Sequence, residues 1–242
     1  MAGETIKSEA ICLDVRPWSR TSHVVSWLTP AGKVATVVKG AVRAKSQFLG
    51  QYDLNYTCDI LYYARAKGEL HALRECVPVE MRESLRSDYR ALALAGYFRK
   101  LVADLAPAGE DCRAWYELLS HNLSSLASPV SRLSSFVAFE LKVLDLAGLK
   151  PDFSGYDRAA EWSAFSVERG SFSEPEGRCV RVSREVAAYL NDPTRPVKNS
   201  QTPLDAARVI GVFYQFHLDC ASDVRRSVLG MISENKEGKS SK

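Results

Sequence analysis

A chain of 242 residues with 46% hydrophobic side chains is long enough to bury a substantial core and too apolar to be disordered. Its 32 basic and 29 acidic residues leave a formal charge of +3, which excludes a protein that attracts polyanions by net charge alone, so any such site must come from clustering. The six cysteines, at 12, 58, 76, 112, 179 and 220, include no CxxC pair, and no signal-like segment or apolar run of about 18 residues occurs. The expectation is therefore a cytoplasmic protein with unpaired thiols acting as small core hydrophobes, away from membranes.

Residues 1–80 contain short apolar stretches divided by turn formers. AICLDV ends at Arg16-Pro17, VVSWLT at Pro30-Ala31-Gly32, and VATVV at Lys39-Gly40. NYTCDILYYA and ELHALRECVPV flank Arg65-Ala66-Lys67-Gly68, a natural hairpin connection because glycine tolerates positive φ. Strands with no helical period between them predict a small five-stranded barrel, for which the OB-fold is the commonest solution.

From Ser87 the period changes: Leu94, Phe98, Leu101 and Leu105 recur at helical spacing on one face. Ala114–Leu126 continues in the same manner, and Leu133–Leu146 is apolar nearly all round, as expected of a central buried helix stopped by Gly148 and Pro151. Residues 150–178 read as an irregular insertion with a small hairpin, WSAFSV alternating before a turn at Arg169-Gly170. Helices resume over Ser183–Leu190 and again from Pro203, where Val209, Phe213, Phe216 and Cys220 suggest one long amphipathic segment. Residues 234–242, ENKEGKSSK, carry no apolar side chain and should form a disordered tail. The predicted class is α+β: an OB-fold barrel over 1–80, then an α-helical domain over 81–233 interrupted by the insertion.

Between Val15 and Tyr52 there is no acidic side chain, while Arg16, Arg20, Lys33, Lys39, Arg43 and Lys45 all fall there. Such self-repulsion calls for a compensating polyanion. In a strand over KVATVVK, Lys33 and Lys39 share a face roughly 20 Å apart, about three nucleotides of extended single strand. KGAVRAKS (39–46) then reads as a basic loop whose Gly40 permits close backbone approach. Trp18, Trp27, Phe48 and Tyr52 interleave with these cations and offer rings on which bases can stack. Trp27 is either such a platform or a core residue, according to which face of its strand is inside.

The run SEAICLDVRPWSRTSHVVSWLTPAGKVATVVKGAVRAKSQFLGQYD resembles the N-terminal signature of the RecO family in order and spacing: an R-P turn, a strand ending in L-T-P, a G-K-V strand, then K-G-A-x-R-x-K-S. Weaker similarity continues through residues 68–110, FVAFELKVLDLAGLKPDF and HLDCASDVRRSVL. The resemblance implies an OB barrel joined to a helical domain, both binding single- and double-stranded DNA. It also implies annealing of complementary strands, and cooperation with RecR in loading RecA onto strands coated with single-strand-binding protein, at the nucleoid. Many relatives carry a four-cysteine zinc site after the GLKPDF-like segment, whereas residues 154–177 contain no cysteine. The insertion is therefore read as a degenerate zinc finger without metal, held by Tyr156, Trp162, Phe165 and Phe172.

Annealing requires distributed cations and few base-specific contacts. Lys33, Lys39, Arg43 and Lys45 are the first choices for neutralising backbone phosphates, Arg16 and Arg20 the second, with Arg225 and Arg226 extending the path. The acidic, aromatic-ended tail of single-strand-binding protein needs a cation beside an apolar groove, for which Arg132 and Lys142 are candidates on the helix of Phe136 and Phe139. HExxH, GxSxG and GxxxxGK[ST] are absent and His23, His71, His121 and His217 are scattered, so no enzyme, cofactor or metal is expected. The alternative is an OB-fold interaction scaffold in a repair complex without strong DNA affinity.

Overall fold

The computed structural model describes residues 4–65, 70–109, 111–126, 132–174, 176–197, 199–218 and 222–233. The chain divides into two compact units, Met1–Ser128 and Pro129–Lys242.

The first unit opens with β1 (Thr5–Ser19), β2 (Ser22–Thr29), β3 (Gly32–Val38), β4 (Thr57–Tyr63) and β5 (His71–Glu80). They close into a barrel in the order β1-β2-β3-β5-β4. β1 runs through Arg16-Pro17, where the sequence suggests a stop. Register shifts between Cys12 and Asp14 and between Pro17 and Ser19 bend it, so that Thr5–Ile11 pairs with β4 and Ile11–Ser19 with β2. Proline is tolerated beside such a bulge because the ladder is already interrupted there. β3 meets β5 in parallel at Thr36↔His71 and Val37↔Ala72, which completes closure. The turn expected at 65–68 lies largely outside the described residues.

Alternation sends Val25, Trp27, Val38, Cys58, Ile60, Tyr62, Leu73 and Cys76 inward, where they form the barrel core with Ala10 and Cys12. A hydrogen bond with Cys58 and burial push the Cys76 thiol up, and burial pushes up that of Cys12, so both behave as neutral core groups. Cys179 differs from the expected core thiols in being half-exposed.

A 3-10 turn (Glu83–Ser87) leads to α1 (Tyr89–Leu105), whose first turn is capped by the Asp88 carboxylate accepting from the Arg90 and Ala91 amides. α2 (Arg113–Ser125) follows. α1 packs on β1 and α2 on β2, and Leu13 and Leu28 are sealed from solvent. Polar ties reinforce this: the Cys112 amide donates to the Pro30 carbonyl, and the Tyr116 hydroxyl donates to the Glu9 carboxylate. Arg82 donates to Ser124 Oγ and pairs with Glu80 at 2.6 Å. The change of period at Ser87 therefore marks a change of secondary structure, whereas the compact unit continues through both helices.

The second unit contains α3 (Arg132–Leu146), β6 (Trp162–Ser166), β7 (Ser171–Phe172), β8 (Cys179–Ser183), α4 (Arg184–Asn191), α5 (Thr202–His217) and α6 (Ser222–Ser233). α3 packs on α5 and α6, burying Phe136, Val137, Phe139 and Val143. The expected insertion is a three-stranded sheet, β7-β6-β8, turning at Gly170, whose φ of 65° suits glycine. Phe165 stacks on Phe153 at 4.9 Å and meets Phe172 edge-on at 5.4 Å, with Tyr156 and Phe213 adjoining. Trp162 is not part of this cluster: it is half-exposed beneath the Arg181 guanidinium, because its position on β6 points opposite to Phe165. The long segment expected from Pro203 also needs correction. α5 ends at His217, Phe216 is half-exposed, and Cys220 lies outside the described residues.

Candidate nucleic-acid interface

Three outward rows cross β1, β2 and β3. Pairing aligns Asp14 with Ser26 and Ala35, then Arg16 with Val24 and Val37, and the row beyond ends in Trp18 and Lys39. At this last end the basic loop folds back onto the β1–β2 turn: the Val42 amide donates to the Thr21 carbonyl and the Gly40 amide to Ser22 Oγ. Ala41 and Phe48 plug the loop into the barrel. Those anchors leave Arg20, Lys39, Arg43 and Lys45 exposed at one end of the barrel, and among the described residues these four form no ion pair. Gly40 has φ +67°, and a Cβ there would meet Arg43 Cδ at 3.3 Å, so glycine permits both the turn and the packing of Arg43 across it.

The other two cations of the acid-free window are committed locally. Arg16 pairs with Asp14 at 2.5 Å. Lys33 is half-buried and donates to the Ala103 carbonyl at 3.0 Å. It forms one wall of a groove of about 500 Å³ that also holds Arg16, Arg99, Lys100, Asp14 and Asp104. Arg99 and Lys100 come from α1, outside the window, and are committed as well: Arg99 donates to the Leu13 carbonyl and Lys100 pairs with Asp104 at 2.7 Å.

Trp27 requires a correction. It is fully buried and its indole N–H donates to Thr36 Oγ1 at 2.8 Å, so it is a core residue and offers no stacking face. Phe48 is buried too, and the Tyr52 hydroxyl is engaged by His23 Nδ1 at 2.9 Å; burial, with smaller contributions from Cys12 and Cys76, pushes that phenol up to about 12. Trp18, 63% exposed, is the aromatic of the window that faces solvent. It lines a hollow of about 410 Å³ with Lys39, Gly40 and Arg43. His71 stacks on Tyr62.

In the second unit Arg225 is also corrected. Its guanidinium forms a two-pronged pair with the fully buried Glu140, each N···O 2.8 Å, and donates to the Ala207 carbonyl; it is a core group, not a surface cation. Arg226 stays exposed near Asp223. Ala138, Leu141, Lys142 and Asp145 share one face of α3 and, with Lys150, Phe153, Leu190 and Pro193, line a groove of about 540 Å³. Lys142 and Lys150 both approach Asp145, and the hydrogen bond from Lys142 holds that carboxyl below the usual range. Arg132 does not line the groove, since its place on α3 is rotated away from that face. Phe136 and Phe139 are core, and the apolar wall is formed by Leu141 with the edges of Phe153 and Leu190, which are themselves largely buried. Among the described residues no group of three or more His, Cys, Asp or Glu is placed to hold a metal ion, and no helix is long and apolar enough to cross a membrane.

Family models described as Recombination protein O N terminal and Recombination protein O C terminal match residues 1–82 and 86–220. The chain is 30% identical over 175 residues to the DNA repair protein RecO of Alkaliphilus metalliredigens (strain QYMF), covering 71% of this chain and 69% of the relative. It is 26% identical to that of Roseiflexus sp. (strain RS-1), covering 73% and 61%, and 25% identical to that of Syntrophobacter fumaroxidans, covering 74% of each.

Proposed function

Because the chain belongs to the RecO family, we propose that it is a non-enzymatic recombination mediator of the cytoplasm. It binds single- and double-stranded DNA, anneals complementary strands and, with RecR, helps to load RecA onto strands coated with single-strand-binding protein. The observation that carries this reading is that Arg20, Lys39, Arg43 and Lys45, drawn from a stretch without acidic side chains, are all exposed and form no ion pair among the described residues. Cations distributed in this way neutralise phosphates and leave base edges free to pair.

The test is fluorescence anisotropy of the full chain with a labelled mixed-sequence oligonucleotide over a salt series, followed by an annealing assay. The expected result is binding that falls steeply with salt and is accompanied by faster annealing. No binding at low salt would move the chain to the scaffold reading.

The groove on α3 is the proposed seat for the acidic, aromatic-ended tail of single-strand-binding protein, with Leu141, Phe153 and Leu190 receiving the ring and Lys142 and Lys150 at the rim. A labelled tail peptide is expected to bind, and Lys142→Glu/Lys150→Glu to weaken it about tenfold. Equal affinity for both proteins removes this groove from the reading.

A further inference from the structure

We propose that the hollow beside Trp18 receives a single unstacked nucleotide and makes this end of the barrel selective for single strands over duplex; this rests on the reading of the barrel as DNA-binding. Trp18 is 63% exposed while Trp27, Phe48 and Tyr52 of the same stretch are buried or hydrogen-bonded, so its indole is the ring of that stretch open to a stacking partner. The hollow it lines, about 410 Å³, falls within the range of roughly 300–1,000 Å³ typical of small-ligand sites. Its other walls suit a nucleotide: Val37 is an apolar floor, and Lys39 and Arg43 bring two positive charges where a phosphate would follow. Among the described residues no carboxylate lines it. Gly40, without a Cβ, lets Arg43 lie against the backbone.

Single-strand selectivity follows from what each form of DNA can present. In a duplex every base face is covered by its neighbours, so the indole finds only sugar and phosphate; an unpaired base can turn out and stack on it. The cations serve both forms equally, because phosphates are common to both. One stacking position also suits annealing, since it holds a strand at one base and leaves the adjacent edges free. Stacking is far less sensitive to salt than phosphate contact, so its contribution to single-strand binding should stay the same across the salt series.

The experiment compares wild type, Trp18→Ala and Trp18→Phe as full chains, by anisotropy with a labelled mixed-sequence single strand and with the same sequence as duplex, over a salt series. Trp18→Ala is expected to weaken single-strand binding about tenfold at every salt concentration, with duplex affinity and salt slope unchanged and Trp18→Phe retaining most of the affinity. Wild-type DNA binding that Trp18→Ala leaves intact, or weakens equally for both forms, overturns the nucleotide pocket while the DNA reading stands. Wild type that binds neither form overturns both.

Discussion

Lys39→Glu/Arg43→Glu is expected to weaken the binding of single strands and duplex about 100-fold at low salt, alike for every sequence. Each reversal removes an attraction and adds a repulsion, each up to about 1 kcal/mol at contact distance in water. Four such changes, partly screened, amount to about 3 kcal/mol, or roughly two powers of ten. The slope of log affinity against log salt should also become shallower by about 1.4 to 1.8, since two phosphate contacts are lost. Both side chains are exposed and form no ion pair among the described residues, so the far-ultraviolet circular dichroism should match wild type. A loss confined to particular sequences would contradict the proposed phosphate path, because it would mean that these residues read base edges.

Arg225→Ala is expected to cost about 3–5 kcal/mol of stability, because it leaves the Glu140 carboxylate buried without its cation. For a unit of this size the thermal midpoint should fall by on the order of 10–20 °C. Gly211→Ala should act in the same direction: a Cβ there would lie 2.4 Å from Arg225 Nη1 and drive the guanidinium off Glu140. Replacing both charges together, Glu140→Leu/Arg225→Met, should recover most of the loss, since a buried pair replaced by apolar side chains avoids the desolvation penalty. Differential scanning calorimetry of the three variants decides the matter. A midpoint for Arg225→Ala within a few degrees of wild type would show that Glu140 finds another partner or a proton at little cost. DNA affinity below the melting range should be unchanged, which separates this core role from the DNA contact first expected of Arg225.

The sequence by itself determined the α+β class, the number of barrel strands, the approximate spans of α2 to α4 and the turn at Gly170, because alternation and helical period are local properties that each segment carries alone. It also disclosed the acid-free stretch and the K-G-A-x-R-x-K-S loop, since charge clustering along a strand and its neighbouring turn survives folding. Only the tertiary structure decided which of two tryptophans faces water. Alternation shows which residues share a face but not which face is inside, and barrel closure buried Trp27 and left Trp18 out. Lys33 was drawn into contact with α1 by a carbonyl 70 residues away, and Arg225 was paired with a carboxylate 85 residues away. Partners so distant leave no mark in local sequence, because the burial that makes them necessary exists only once the helices have packed.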